Sequence, residues 1–287
     1  MARPFLKWAG GKGQLLNTIV NNLPPHFDTY IEPFVGSGAV VFALLSRGEA
    51  LNGTIINDLN SDLINAYLCV CEDCEGVTRQ LANLQARYLE LDGEGRSRMY
   101  YEIREDFNRR EADATTRASH FIFLNRTCFN GLYRVNAHDH FNVPHGKYKA
   151  PTICDERNLS EVSAVLQNVD IRNGDFEALR ADIGPGCFVY LDPPYKPISD
   201  TSSFNSYSAE KFDDHEQTRL KLFCDYINEC GGFFMLSNSD PASVNPNNRF
   251  FDELYGDYHI QRVLARRAIN ANADRRGEVN ELLITNY

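Results

Sequence analysis

Apolar and polar positions follow two periods along this chain. Residues 29–35 (TYIEPFV) form an apolar run that predicts a buried strand ending at Gly36-Ser37-Gly38. Residues 39–47 (AVVFALLSR) read as a helix, and 53–58 (GTIIND) as a second strand. In 59–74, Leu59, Leu63, Ile64, Tyr67 and Leu68 fall on a helical period. Strand and helix in alternation predict a parallel sheet with helices on its faces. The rhythm changes from 70 to 130, where 76–91, 96–109 and 114–125 all read helical with no strand between them. Residues 132–151 then predict a hairpin, with a polar turn at 137–140 and with Val143 and Tyr148 on the second arm. The first rhythm resumes with a helix near 159–166 and strands at 169–174, 187–192 and 232–238. A helix at 212–230 lies between the last two, and strands at 257–265 and 279–286 close the chain. The expected organisation is an α/β domain in two parts, 1–68 and 159–287. Between them lies a helical insert, 69–158, bearing the hairpin 132–149. Neither an internal repeat nor a low-complexity linker interrupts this plan.

Composition narrows the class. Of 287 residues, 43% are hydrophobic, enough for a buried core and too many for a disordered chain. No run approaches the roughly 20 apolar residues of a membrane-spanning helix. The opening MARPFLKWAGGKGQ lacks the apolar centre of a secretory signal. The eight cysteines are not needed as staples at this length, so a reducing, cytoplasmic setting is expected. Cys69, Cys71 and Cys74 fall in a predicted helix, and no paired C-x-x-C sets occur at zinc spacing, so no metal is expected.

The formal net charge of −10 argues against nucleic acid, but its distribution does not. Segment 1–14 carries Arg3, Lys7 and Lys12 without an acid. Segment 126–149 carries Arg126, Arg134, Lys147 and Lys149 against Asp139 alone. Segment 262–276 carries Arg262, Arg266, Arg267, Arg275 and Arg276 against Asp274 alone. A polyanion responds to the local face within a Debye length of roughly 10 Å. Each cluster could equally be a solvated surface.

Three constellations carry chemistry. The first is Glu32-Pro33-Phe34-Val35-Gly36-Ser37-Gly38, a strand ending in a glycine turn before a helix, where a ligand can approach the backbone. Val41 stands where a dinucleotide fingerprint needs its third glycine, and Gly11-Lys12 lacks the remainder of a phosphate loop. The second is Asp58, at the end of the next strand, at a spacing that suits an acceptor for ribose hydroxyls. Its plainer alternative is a cap for the helix that follows. The third is Asp192-Pro193-Pro194-Tyr195 after the apolar strand CFVYL. Carboxyl ends of strands are where open α/β sheets bind ligands. The prolines fix the backbone and leave carbonyls without internal partners. A carboxylate and such a carbonyl can accept both hydrogens of an exocyclic amine, and the tyrosine ring can stack on a base taken out of its helix.

FLKWAGGK (5–12), EPFVGSG (32–38), INDLNSDLIN (56–65), FNGLYR…FNVPHGKYK (129–149) and DPPY (192–195) occur in one order. Together they resemble the Dam-type DNA adenine-N6 methyltransferases, including the methylases of restriction–modification systems that act at GATC. The resemblance runs from Phe5 to Tyr287 and is weakest across 70–118. It implies a Rossmann-like methyltransferase sheet with an inserted target-recognition domain. It implies S-adenosylmethionine as cofactor, duplex DNA as partner, and a possible cognate restriction endonuclease. Trp8 and Lys12 would bind the cofactor from the N-terminal segment, and Glu32, Pro33, Phe34, Gly36 and Gly38 would shape its pocket. Asp58 would hold the ribose, and Asp175 the adenine amino group with Phe176 beside it. Asp192, Pro193, Pro194 and Tyr195 would form the catalytic motif, with Asp192 also beside the cofactor. A loop at 201–207 would close over the site, with Phe204 and Tyr207 against the base. For DNA, Lys7, Asn130, Leu132, Asn136 and Pro144 would make contacts near the target, and Phe129 would enter the duplex as a wedge. Arg134 would read guanine, while Lys147 and Lys149 would hold phosphates.

Rival readings make separate predictions. A nicotinamide-dependent oxidoreductase would need the missing third glycine, and a cofactor titration separates it. A non-catalytic DNA-binding relative would not need an intact Asp192–Tyr195 motif with Asp58 and Lys12. Motifs of this kind also serve enzymes acting on RNA or on a glutamine amide, against which the hairpin and Phe129 favour duplex DNA. The turn 137–140, with Ala, His, Asp and His, leaves GATC resting on the resemblance.

Overall fold

Seven strands form one sheet: β1 (Thr29–Glu32), β2 (Gly53–Asp58), β3 (Asp170–Asn173), β4 (Cys187–Leu191), β5 (Phe233–Ser239), β6 (His259–Arg266) and β7 (Glu278–Thr285). The computed structural model describes residues 1–8, 10, 12–13, 15–48, 51–196, 212–266 and 278–287. The strand order is β3-β2-β1-β4-β5-β7-β6. β1 to β5 are parallel neighbours, and β7 runs antiparallel between β5 and β6. The order reverses between β1 and β4, which is the switch point where a doubly wound sheet opens a ligand crevice.

Both sheet faces are covered, so β4 is buried along its whole length and reads as one apolar run. Neighbouring residues alternate between faces. Tyr30, Ile56, Phe188 and Met235 pack with Val41, Leu63 and Tyr67 on one side. Ile31, Ile55, Val189 and Leu236 pack with Leu220, Phe223 and Ile227 on the other. The first side is covered by α2 (Ala39–Ser46) and α3 (Ser61–Glu72), and the second by α8 (Asp214–Glu229).

The insert holds α4 (Cys74–Glu90), α5 (Gly93–Arg109) and α6 (Ala114–Thr127). Asp73, Asp92 and Asp113 each start one of these helices by accepting a backbone N–H with the side chain. Their apolar faces, with Leu81, Tyr88, Ile103, Phe107 and Phe121, continue the core of the first sheet face. The junctions at 68 and 158 lie inside α3 and inside α7 (Glu156–Leu166), respectively.

The α/β sheet and the three-helix insert follow the sequence expectation. Three features differ. β1 ends at Glu32, so 33–35 already belong to the glycine turn. α1 (Leu16–Asn21) and α9 (Phe250–Leu254) are too short to show a period. The expected hairpin 132–149 is present only at its tip, where Asn142 N donates to the Arg134 carbonyl at 3.0 Å and Asn136 N to the His140 carbonyl at 2.9 Å around the Val135–Phe141 bridge; the ladder extends no further. Side chains of α5 take further backbone groups of the second arm: Tyr100 Oη donates to the Val143 carbonyl at 2.7 Å, and Asn108 exchanges two hydrogen bonds with Phe141.

Candidate active site

The turns after β1 to β4 carry the candidate groups to one edge of the sheet. Gly36 (φ 48°) and Gly38 (φ 73°) adopt left-handed backbone, which only glycine takes without strain. A Cβ on Gly36 would stand 2.8 Å from the Trp8 ring, so Trp8 lies directly on the turn. Tyr67 Oη donates to the Gly36 carbonyl at 3.0 Å. Buried Asn57 donates to the carbonyls of Pro33 (3.1 Å) and Gly174 (2.8 Å), tying together the turns after β1 and β3.

Glu32 is buried, and its Oε2 accepts from Tyr30 Oη at 2.7 Å and from Val41 N in the first turn of α2 at 3.1 Å. Burial pushes its carboxyl up to about 8, against those hydrogen bonds. Asp58 accepts from Gly36 N (3.1 Å) through one oxygen and from Asn60 N (3.0 Å) through the other. Burial pushes Asp58 up to about 6 despite them. The helix cap is Asn60, not Asp58, since Asn60 Oδ1 accepts from Leu63 N at 2.9 Å. Each Asp58 oxygen retains a lone pair, so this donor set fits the ribose hydroxyls of a nucleoside-containing cofactor.

Asp192 directly follows β4. Its Oδ1 lies 2.6 Å from Lys12 Nζ, which also donates to the Gly10 carbonyl at 2.9 Å. Lys12 is buried, with its ammonium 4.5 Å from the centre of the Tyr195 ring. Burial raises the Asp192 carboxyl above its ordinary range, and Lys12 acts in the opposite direction. Lys12 is thus placed on the DPPY motif itself. Gln217 Nε2 donates to the Pro194 carbonyl at 3.3 Å, and Asn238 holds both Gln217 and Lys196 N. Among the described residues no hydrogen bond reaches the Pro193 carbonyl, which leaves it available beside Asp192. Tyr195 Oη donates to Glu281 on β7 at 2.7 Å.

Asp175 caps the short 3-10 helix Phe176–Asp182 through Glu177 N and pairs with Arg219. Burial acts to raise its pKa, but the Arg219 hydrogen bond prevails and lowers it. Phe176 is buried against Phe34, with ring centres 5.5 Å apart. The loop 201–207, with Phe204 and Tyr207, lies outside the described residues.

A second group of residues shares another face. Asn125, buried on α6, accepts from Lys7 N (2.8 Å) and donates to the carbonyls of Lys7 (2.7 Å) and Gly131 (3.2 Å). This clamp joins the N-terminal segment to 129–132. Lys7 Nζ lies 4.8 Å from the Tyr148 ring, whose hydroxyl accepts from Asn130 N at 3.1 Å. Phe129 N donates to the Pro144 carbonyl at 2.8 Å. Lys7, Phe129, Asn130, Arg134, Pro144, Lys147 and Lys149 are all exposed. Phe129 shows 52% of its surface to solvent, so its ring is not part of the core. Leu132 is half-buried. Asn136 shapes the turn, its Oδ1 accepting from His138 N and His140 N. Trp8 links the two groups by stacking on Tyr133 at 5.5 Å.

The third basic cluster is not a free patch at Arg262, whose guanidinium pairs with Asp240 and Asp252. Arg267, Arg275 and Arg276 lie outside the described residues, as does the side chain of Arg266. All eight cysteines are free thiols. Among the described residues no helix is long and apolar enough to cross a membrane.

Sequence reading missed Glu281, Asn238, Gln217 and Asn125. The signal for Glu281 was a lone acid inside the apolar strand VNELLITN.

Comparison with known proteins covers nearly the whole chain. The family model of D12 class N6 adenine-specific DNA methyltransferases matches residues 8–269. "Type II methyltransferase M.MjaIII" of Methanocaldococcus jannaschii is 46% identical, across 99% of each chain. "Type II methyltransferase M1.LlaDCHI" of Lactococcus lactis is 38% identical, across 99% of this chain and 95% of its own. "DNA adenine methylase" of Escherichia coli K12 is 34% identical, across 98% and 94%.

Proposed function

The chain belongs to the D12 class N6 adenine-specific DNA methyltransferases, and from that premise we propose the chemistry of its site. A methyl group passes from S-adenosylmethionine to N6 of an adenine flipped out of duplex DNA, in the sequence GATC. The observation that carries this reading is the Asp192 carboxylate at the carboxyl end of β4, beside the switch point of the sheet and 2.6 Å from buried Lys12.

The cofactor, when bound, supplies a methyl group activated by its sulfonium. Asp58 would accept its ribose hydroxyls, and Asp175 its adenine amino group beside Phe176. Trp8, Glu32, Pro33, Phe34, Gly36 and Gly38 would enclose the methionine end. On the substrate side, Asp192 and the Pro193 carbonyl accept the two N6 hydrogens, which turns the nitrogen lone pair towards the methyl. This is mainly positioning. Both acceptors also stabilise the positive charge that grows on N6 as it attacks. The raised pKa of Asp192 suits that carboxylate to take the proton N6 must lose. Tyr195 stacks on the base, with its backbone pinned through Pro194 and Lys196.

The exposed face at Lys7 and 129–149 is the DNA side. Phe129 serves as the wedge, and Lys147 and Lys149 hold phosphates. Arg134, held by Asn142 through Nε at 2.7 Å, keeps its terminal nitrogens for guanine. Leu132 and Pro144 add apolar contact. The counterpart in the cytoplasm would be a restriction endonuclease of the same target, since two of the relatives are named type II methyltransferases.

The test is transfer of labelled methyl to short duplexes carrying GATC or its scramble. Label on adenine of GATC alone supports the full reading. Label only on mixed genomic DNA retains the chemistry and replaces the target sequence.

A further inference from the structure

Tyr195 is held at both ends. Its backbone is fixed by Gln217 on the Pro194 carbonyl and by Asn238 on Lys196 N. Its hydroxyl donates to Glu281 Oε2 at 2.7 Å. Lys12 stands over the ring at 4.5 Å. Glu281 lies on β7, opposite Ser239 of β5 on one side and Val263 of β6 on the other. A carboxylate on a strand paired along both edges has a fixed origin, so the tether it offers is stiff. Such a position ordinarily takes an apolar residue, as Leu282, Leu283 and Ile284 next to it do, all buried. Among the described residues, Tyr195 is the hydrogen-bond partner of the Glu281 carboxylate.

We propose that Glu281 is a positioning residue for methyl transfer, which fixes the swing of the Tyr195 ring through its hydroxyl, while Lys12 stands over the ring face, so that the target base stacks with less reorganisation. The proposal rests on the adenine chemistry assigned above to Asp192 and Tyr195. A ring anchored only through its backbone swings about its Cα–Cβ bond, and each base must then order it on arrival. A hydrogen bond to a carboxylate, stronger than one between neutral groups, removes that motion beforehand. Glu281 also places a second negative group behind the motif, which raises the Asp192 carboxyl in the same direction as burial does.

The experiment is a double-mutant cycle on single-turnover methyl transfer to genomic DNA lacking adenine methylation. It uses the full chain with Glu281→Met, Glu281→Gln, Tyr195→Phe and the Glu281→Met/Tyr195→Phe pair. Glu281→Met should slow transfer about tenfold, the scale of one charge-assisted hydrogen bond, with cofactor and DNA affinities within about twofold. Glu281→Gln keeps an acceptor and should recover most of the rate. Tyr195→Phe keeps the ring, loses the donor, and should match Glu281→Met. The pair should be no slower than either single variant, since each removes the same bond. Multiplied losses in the pair would overturn the proposal. So would a full rate in Tyr195→Phe, which decides the matter even if Glu281→Met fails to fold. A loss confined to cofactor or DNA affinity would likewise overturn it. Absence of adenine methylation by the wild-type protein would instead overturn the reading on which it rests.

Discussion

The strand-end site and the exposed face at 129–149 are held in opposite ways. Around Asp192 nearly every group is buried and bonded to a residue distant in sequence: Lys12 on Asp192, Gln217 on Pro194, Glu281 on Tyr195, Asn57 across two turns. Across 129–149 the candidate contact side chains Phe129, Asn130, Arg134, Pro144, Lys147 and Lys149 face solvent over buried Phe141, Val143 and His145, and isolated bridges stand in place of a long ladder. Transfer chemistry needs atoms fixed within a fraction of an ångström, and buried polar networks supply that at a cost in desolvation. Reading a duplex needs long, solvated side chains that adjust to a phosphate track, and a packed sheet edge would prevent that. The Asn125 clamp and the Trp8–Tyr133 stack are where the two designs meet.

Substitutions that respect or cross this division should differ in kind. The largest effect belongs to Asp192→Ala, which should cut turnover by roughly 10²–10³-fold or more by removing charge stabilisation at the reacting nitrogen. Arg134→Ala should weaken binding of the target duplex about tenfold or more, the worth of one paired base contact. Its melting temperature should stay unchanged, because the side chain is exposed. Asn125→Ala acts at the joint. It strands three backbone partners and should cost about 1–3 kcal/mol in chemical denaturation. The smallest effect is the pH response of Glu32. Its folded value of about 8 lies above the ordinary 4.5, so the native state holds the proton more tightly than the unfolded chain. That contribution is complete below pH 4.5 and is lost as pH rises through 8. Glu32→Gln keeps an acceptor for Tyr30 and Val41 without the charge. Its melting temperature should gain on wild type by about a few degrees between neutral pH and pH 9.

What the sequence disclosed divides along the same line. The apolar runs of β1, β2, β4 and β5 and the turns after them were legible, because burial on both faces leaves an uninterrupted pattern. Asp192 and Asp58 were legible because each closes such a run, whereas Glu32 lay inside a predicted run and became the last residue of β1 only in the fold. The partners that orient them were not. Asn125 and Lys7 are 118 residues apart, and Tyr195 and Glu281 are 86 apart, so no local pattern joins them. The segment 132–149 carried hairpin signals, and its tip does pair across the turn, from Asn142 N to the Arg134 carbonyl and from Asn136 N to the His140 carbonyl, but Tyr100 and Asn108, from a helix earlier in the chain, take the backbone of Phe141 and Val143. Arg262 looked like part of a basic patch because Asp240 and Asp252 are brought to it only by folding.

The most direct test of the division measures two quantities on one unmethylated target duplex. These are the single-turnover rate of methyl transfer at saturating cofactor and protein, and the equilibrium affinity for that duplex. Asp192→Asn and Arg134→Ala are compared with wild type. The account predicts that Asp192→Asn loses rate while keeping its affinity. It predicts that Arg134→Ala loses affinity while its rate on fully bound duplex stays within about threefold, because a uniform binding contact leaves the chemical step unchanged. Loss of affinity in Asp192→Asn with its rate intact, or loss of rate in Arg134→Ala at full occupancy, would contradict it.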